Sequence, residues 1–330
     1  MLLHGPNGAG KTNLLEALHV GTQGFSPRAR SDVQLIRFGA EVGRVVLRGA
    51  TAAAAVETDV ILSSREPRRV RLNGERLASP ERLRHELTTL VFTPDRLAVV
   101  KGAPATRRAY LDRSVGRLFP AKASLPVEYA AVVGQRNAGL RRVRAGISTR
   151  EAVRPWTAKV AELGSELVAA RLAAVALLAP SFVGLAEELG LGEASLGYAG
   201  AAPTVEDLDA RLDADLDRGV TSAGPHLHDV RIAAGGRELR AYGSQGEQRI
   251  AVLALVLAEV EALGGRDGST PLLLLDDVLS ELDGDRRRAL ARMISRGGQT
   301  IVTATAAGAL PAEPDLALAV SPGQVRSWSE

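Results

Sequence analysis

The sequence GPNGAGKT at residues 5–12 constrains the fold more than any other stretch of this chain. It satisfies the pattern G-x-x-x-x-G-K-[ST], in which glycines let the backbone turn tightly and point its N–H groups at phosphate oxygens. Such a loop has to leave a buried strand and enter a helix. Leu2 and Leu3 precede the loop, and residues 13–20 follow it with leucines at helical spacing. The stretch therefore predicts a phosphate-binding loop in an α/β fold.

The phosphate-binding loop predicts ATP and Mg²⁺ as cofactors. Lys11 is expected to bridge the β- and γ-phosphates, and the Thr12 hydroxyl is expected to hold Mg²⁺. The residues expected to contact the nucleotide are Gly5, Pro6, Asn7, Gly8, Ala9, Gly10, Lys11, Thr12 and Asn13. The alternative is a glycine-rich turn that matches the pattern by chance, which the apolar segments on both sides disfavour.

The sequence LLLLDD at residues 272–277 predicts the second half of the site. A fully apolar run is typical of a buried parallel strand, and it places Asp276 at the strand's carboxyl end, where a carboxylate can bind Mg²⁺. Asp277 is expected to orient or deprotonate the water that attacks the γ-phosphate. Adjacent acids at a strand end can also be a solvated loop, but the phosphate-binding loop favours the catalytic interpretation.

The sequence GSQGEQR at residues 243–249 distinguishes between classes of phosphate-loop proteins. Ser244 and Gly246 precede an apolar helical pattern, so they offer a hydroxyl and free N–H groups to a phosphate, although an ordinary helix cap would look the same. This motif comes before LLLLDD, and SELD at 280–283 follows it, which is the order of ATP-binding-cassette proteins. In that class the serine loop faces the γ-phosphate held by another subunit, so Ser244 predicts a homodimer in the ATP state.

A narrower resemblance extends over nearly the whole chain. The motifs NGAGKTNLLEAL, FTPDRLAVVKGAPATRRAYLD, QRN (135–137), GPH (224–226), GSQGEQR and LLLLDDVLSELD occur in the order found in the RecF family. The chain thus resembles a compact relative of the Rad50 and SMC heads. The resemblance implies an α/β ABC-ATPase core, like a Rad50 or SMC head, with an inserted, mainly helical second lobe. We expect lobe I at residues 1–92 and 268–330, and lobe II at 93–267 with the serine loop.

The same resemblance implies a function and partners. It implies a cytoplasmic, weakly DNA-dependent ATPase of recombinational repair and replication, whose ATP-driven dimer binds gapped DNA or single-strand/double-strand junctions. Recombinase loading with RecO-type and RecR partners, and a contribution to SOS induction, are further expectations.

The chain departs from the family pattern at several places. RecF proteins begin with extra strands and an asparagine–aromatic–arginine stretch, which we do not find here, so we expect a misplaced start or a trimmed chain. Leu227 and His228 replace the usual Arg and Asp after GPH. No switch histidine follows the strand at 297–308; Thr303 or Thr305 is the candidate γ-phosphate sensor. FTPD, with Asp95, is expected near the metal.

A basic stretch is the candidate DNA surface. Residues 101–150 contain eleven basic and two acidic side chains, and we assign backbone contacts with DNA to Arg141, Arg142 and Arg144. The alternative is a solvated face or internal ion pairs, for instance Arg107 or Arg108 with Asp112. The acidic run 206–217 is expected to be a solvated helix face or a docking surface.

Composition and motif order weigh against other classes of protein. The absence of cysteine excludes disulfides, thiol catalysis and cysteine metal sites. We expect no apolar run of transmembrane length, no signal peptide and no membrane partner. The ATPase subunit of a membrane transporter remains the alternative function, although it would carry the switch histidine and lack RRAYLD. A phosphate-loop kinase would give no reason for GSQGEQR or SELD.

Overall fold

The computed structural model describes residues 1–29, 31–51, 54–267 and 270–328 and shows a mixed α/β protein. The strands within these ranges are β1 (Leu2–His4), β2 (Val42–Ala50), β3 (Ala55–Ser63), β4 (Arg69–Leu72), β5 (Glu75–Arg76), β6 (Thr89–Phe92), β7 (Ala194–Ala199), β8 (Asp229–Ala234), β9 (Arg237–Glu238), β10 (Leu272–Leu275), β11 (Thr300–Ala304), β12 (Ala317–Ser321) and β13 (Gln324–Ser327). The helices are α1 (Lys11–Gln23), α2 (Glu81–Glu86), α3 (Ala98–Lys101), α4 (Pro104–Leu118), α5 (Leu125–Arg144), α6 (Arg154–Glu188), α7 (Val205–Ala210), α8 (Leu212–Arg218), α9 (Leu239–Tyr242), α10 (Gln245–Asp267) and α11 (Gly284–Ile294).

The chain forms two compact units. The first comprises residues 1–97, 185–191 and 245–330, and the second comprises residues 98–184 and 192–244.

A six-stranded sheet with the order β13-β12-β1-β11-β10-β6 forms the base of the first unit. Neighbouring strands are parallel except for the β12–β13 hairpin. The run Leu272–Leu275 is almost fully buried, as a central parallel strand with both faces covered requires. Strand β1 lies between β11 and β12, so the loop at residues 5–12 leaves the interior of the sheet. The predicted α/β core is therefore confirmed.

A second sheet in the first unit is antiparallel, with the order β2-β3-β4-β5. Asn73 and Gly74 join β4 to β5 with φ angles of 49° and 84°, which is the two-residue turn that the sequence Asn-Gly predicts. Helix α1 packs against both sheets: Leu15 belongs to the core of the parallel sheet, and Val20 to the core of the antiparallel sheet. This double contact fixes the helix that follows the phosphate-binding loop.

Helix α10 belongs to the first unit, whereas the predicted division placed it in the second lobe. Residues 250–258 of this helix are all buried. A helix that is apolar on every side has to be covered on every side, and α10 packs against β6 of the parallel sheet. The expected boundary lies between residues 267 and 268, and residue 268 lies outside the described residues.

The second unit is mainly helical, as predicted, and also contains an antiparallel sheet of β7, β8 and β9. The β-like pattern at 230–242 continues only as far as Glu238, because the β8–β9 pairing ends there and the chain enters the short helix α9. Strand β7 was not predicted.

An ion pair is completely buried in the second unit. Arg136 donates to Asp215 at 2.7 Å, and also to Thr221 at 2.9 Å and Thr157 at 3.1 Å. The expectation that the acidic run 206–217 is solvated is therefore wrong for Asp215. A buried charge is tolerated only when it is paired and hydrogen-bonded, and Arg136 supplies both conditions.

The proposed pairing of Arg107 or Arg108 with Asp112 is also wrong. Arg107 is buried and makes a bidentate pair with Asp229, with both distances 2.7 Å. Asp112 instead accepts from Arg171 at 2.7 and 2.9 Å. The bidentate guanidinium of Arg171, which comes from another helix, satisfies both oxygens of the partly buried Asp112 carboxylate.

One helical stretch, Arg150–Glu188, is long and apolar enough to cross a membrane by length and composition, so the expectation that no apolar run reaches this length is wrong. Of its most apolar window, 44% is buried within the protein. A core helix passes the same test, and one such helix is weak support for a membrane span.

Candidate nucleotide site

The phosphate-binding loop joins β1 to α1. Gly5 has to be a glycine, because a Cβ atom there would lie 2.2 Å from the carbonyl oxygen of Val320 in β12. Gly8 and Gly10 adopt left-handed φ angles of 81° and 100°. A Cβ atom at either position would meet no described atom within 4 Å. The loop therefore borders open space, as a loop that receives phosphate oxygens requires.

The start of α1 is suited to an anion. Gly10, the residue before the helix, has no side chain that could accept from the first N–H groups of the helix. The first turn, all of it described, has no acidic residue. The first N–H groups and the positive end of the helix dipole are thus left for a ligand. The Lys11 ammonium donates to the carbonyl oxygens of Gly5 at 2.7 Å and Pro6 at 3.0 Å, so it lies over the loop.

Three oxygen-bearing side chains meet beside this loop. The Asp276 carboxylate oxygen Oδ1 accepts from the Thr12 hydroxyl at 3.1 Å and from the Thr303 hydroxyl at 2.9 Å. Thr12 and Asp276 are the two predicted metal ligands, and the fold brings them together although 264 residues separate them. A hydroxyl and a carboxylate are oxygen donors of the kind that Mg²⁺ prefers, so the residues fit this ion.

Asp277 directly follows Asp276 and has an unusual backbone conformation. Its φ angle is 50°, which costs a non-glycine residue about 1–3 kcal/mol and is typical of functional sites. Its backbone N–H donates to the Thr303 hydroxyl at 2.8 Å. Asp277 is exposed, whereas Asp276 is buried. The left-handed turn thus separates one carboxylate that faces the loop from one that faces solvent.

Thr303 was predicted, together with Thr305, as a possible γ-phosphate sensor. The Thr303 hydroxyl is buried and already bonded to both aspartates, as donor to one and acceptor from the other. Thr305 is exposed just beyond β11 and is now the better candidate sensor. Sequence spacing gave no signal that Thr303 would bond to Asp276 and Asp277, because these hydrogen bonds depend on the pairing of β10 with β11.

The candidate serine loop contains the point in the sequence at which the second unit ends and the first unit resumes. Ser244 is the last residue of the second unit, and Gly246 lies in the first turn of α10 in the first unit. The predicted helix start is present at Gln245. The role of Ser244 and Gly246 at a partner's nucleotide stays a prediction.

The three arginines predicted to contact DNA lie at the end of α5 in the second unit. Arg144 donates to the carbonyl oxygen of Asp217 at 3.0 Å, and Arg141 lies 3.5 Å from that of Gly219. These two side chains therefore interact with the carboxyl end of α8, while Arg141, Arg142 and Arg144 remain at least partly exposed.

The motifs QRN and GPH meet inside the second unit. Asn137 accepts from the N–H of Thr221 at 2.7 Å, and His226 lies 3.1 Å from the carbonyl oxygen of Thr221. Burial lowers the pKa of His226 and of His228 below the usual value for histidine. The two motifs therefore meet in one partly buried polar network around Thr221.

Asp95 of FTPD, expected near the metal, is exposed and lies 3.6 Å from Arg28 in an ion pair.

The fold and the placement of the loop against Asp276 define an ATPase of the type found in RecF and SMC heads. Known SMC heads share this fold: the head domain from Pyrococcus furiosus superimposes with a TM-score of 0.59 at 19% identity, over 99% of this chain and 89% of that one. The family model described as RecF/RecN/SMC N terminal domain matches residues 1–318.

Two relatives narrow the assignment. "DNA replication and repair protein RecF" of Myxococcus xanthus is 38% identical over 97% of this chain and 89% of its own length. The protein of the same name from Heliobacterium modesticaldum is 34% identical over 91% of this chain and 85% of its own length. The recombination mediator protein RecF, solved with ATP, is 27% identical, with a TM-score of 0.86 over 99% of this chain and 91% of that one. The chain belongs to the RecF family.

Proposed function

We propose that this protein is an ATP-gated DNA-binding protein of recombinational repair and replication. The observation that carries the proposal is the contact between Thr12 and Asp276, because it joins the phosphate-binding loop to the acidic strand end at 3.1 Å. The family membership and the names of the relatives support the repair role.

The residues of the site suggest how ATP would be used. Lys11 and the N–H groups of residues 8–12 would bind the phosphates. Mg²⁺, held by Thr12 and Asp276, would neutralise phosphate charge. Asp277 would orient the attacking water and accept its proton, at a slow rate that makes ATP a switch between two states.

The switch would act on a homodimer. In the proposed ATP state Ser244 and Gly246 of each subunit complete the nucleotide site of the other, so ATP binding closes the dimer on DNA and hydrolysis reopens it. Gapped DNA or a single-strand/double-strand junction would be the substrate, with RecO-type and RecR partners in the cytoplasm. Recombinase loading and SOS induction would follow.

Sedimentation with ATP and DNA tests this proposal. The wild type should dimerise with ATP, and Ser244→Arg should still bind ATP as a monomer but fail to dimerise, because bulk and charge would enter the partner's site. Ser195→Arg, at an exposed position of β7 in the same unit as Ser244, is the control for added charge. A Ser244→Arg monomer that hydrolyses ATP at the wild-type rate would refute the role across the dimer.

A further inference from the structure

The antiparallel sheet of the first unit has one face covered and one face free. Val56, Val60 and Leu62 of β3, with Val70 and Leu72 of β4, point into the core beneath α1. Side chains alternate along a strand, so the residues between them lie on the opposite, outer face. The arginines of that outer face, all exposed, are Arg44, Arg48, Arg69, Arg71 and Arg76.

The acidic residues of this face are already neutralised. The two carboxylate oxygens of Asp59 accept hydrogen bonds from the Arg44 guanidinium, from Nε at 2.9 Å and from Nη2 at 3.0 Å. These hydrogen bonds, followed by the charges of Arg44 and Arg71, lower the pKa of Asp59, so its carboxylate stays charged and committed to Arg44. Glu57 pairs with Arg48 at 2.7 Å.

On one side Arg71 lies opposite Asp59 of β3, whose carboxylate is already hydrogen-bonded to Arg44. On the other side Arg71 and Arg76 are direct cross-strand partners in the β4–β5 hairpin. Neither forms an ion pair with any of the residues that the structure describes. Like charges directly opposite each other destabilise a sheet. An anion placed between the two guanidinium groups would attract both of them and offset their repulsion.

The composition of this face suits a phosphate backbone. Arg69 and Arg71 project from the same face about 7 Å apart along the strand. Arg69 also lies 3.5 Å from Glu66 in an exposed ion pair. The outer face of the four described strands carries no aromatic side chain, so it has no platform for base stacking. Arginine guanidinium groups can bind phosphate oxygens with two parallel hydrogen bonds.

We propose that Arg71 and Arg76, flanked by Arg69, form a surface that binds the sugar-phosphate backbone of duplex DNA. This surface belongs to the first unit, whereas the arginines of α5 belong to the second. The proposal rests on the proposed DNA-binding function. Base edges are not read there, so binding through this surface is independent of sequence.

The test measures the affinity of the full chain with ATP for a labelled duplex at several salt concentrations. The variant Arg71→Gln with Arg76→Gln should flatten the log–log slope by about 0.9 per lost phosphate contact, or about 1.8 in total. Arg71→Lys with Arg76→Lys should keep most of the slope, because it keeps both charges. The matched control is Arg65→Gln with Arg82→Gln, which removes two exposed charges from the same unit that are already paired with Glu41 and Glu75.

Three outcomes would count against the proposal. An unchanged slope in the Arg71 and Arg76 glutamine variant, with normal wild-type binding, would overturn this surface alone. An equal loss in the Arg65 and Arg82 control would also overturn it, since the effect would then be one of overall charge. A wild type without any affinity for DNA in the presence of ATP would overturn the proposed function as well. Thermal unfolding of each variant checks that the sheet is folded.

Discussion

The hydroxyl of Thr303 is expected to control ATP turnover without contacting ATP. Thr303→Val keeps the shape of the side chain but removes both hydrogen bonds, one to Asp276 at 2.9 Å and one from Asp277 at 2.8 Å. Loss of the bond to the carboxylate costs about 1.5–3 kcal/mol, and the N–H of Asp277 left without an acceptor adds about 1–3 kcal/mol. This energy is comparable with the cost of the left-handed conformation of Asp277, so that residue should relax to another conformation.

A displaced Asp277 should slow hydrolysis more than it weakens binding. A misplacement of about 1 Å can cost about 100-fold in rate, which equals about 2.7 kcal/mol. We therefore expect kcat to fall about 100-fold in Thr303→Val, while ATP affinity stays within about threefold because the phosphate-binding loop is intact. Single-turnover hydrolysis and equilibrium binding of a fluorescent ATP analogue separate the two effects.

Two control variants make the test specific. Thr303→Ser keeps the hydroxyl and should recover most of the rate, whereas a loss of packing alone would not be rescued by the smaller serine. Thr300→Val makes the same change at the opposite end of β11 and should leave Asp276 and Asp277 in place. Hydrolysis by Thr303→Val at the wild-type rate would refute the reasoning.

Further predictions concern binding and stability. Lys11→Ala should abolish ATP binding in the same fluorescence assay, because its ammonium lies over the loop; wild-type affinity would contradict the assignment of the loop. Arg136→Met should destabilise the second unit by about 3–5 kcal/mol in urea unfolding, since the Asp215 carboxylate would be buried without a cation, and adding Asp215→Leu should recover much of that loss. Burial lowers the pKa of His226 and His228 in the folded state, so the unfolded chain binds more protons once the pH falls towards 6.5. The free energy of unfolding should therefore decrease between pH 7 and pH 5.5, and less so in a variant with both histidines replaced by Gln.

The sequence predicted which segments meet at the candidate nucleotide site because these segments are local motifs. GPNGAGKT and LLLLDD each specify a strand end and the residues beyond it, and strand ends of a parallel sheet share one edge. The pairing of Thr303 with both aspartates depends instead on strand register, which no local pattern encodes.

Charged residues of the second unit were harder to predict. Arg136 and Asp215 look like members of a solvated basic stretch and a solvated acidic run, yet each is buried against the other. Only tertiary packing decides which of many similar arginines is internal, because every one of them has the same local sequence signature. The position of α10 shows the same limit, since an apolar helix does not reveal which unit covers it.

The position of β1 has a consequence for synthesis on the ribosome. Leu2 pairs with Val302 on one side and with Ala317 on the other, so the first strand acquires both neighbours only when the last part of the chain has been made. At about 5–20 residues per second, the intervening 300 residues take about 15–60 s to synthesise. During that interval Gly5 has no Val320 to pack against, and Thr12 has no Asp276 to meet. The contact between Thr12 and Asp276 and both pairings of β1 therefore form only after most of the chain has been synthesised.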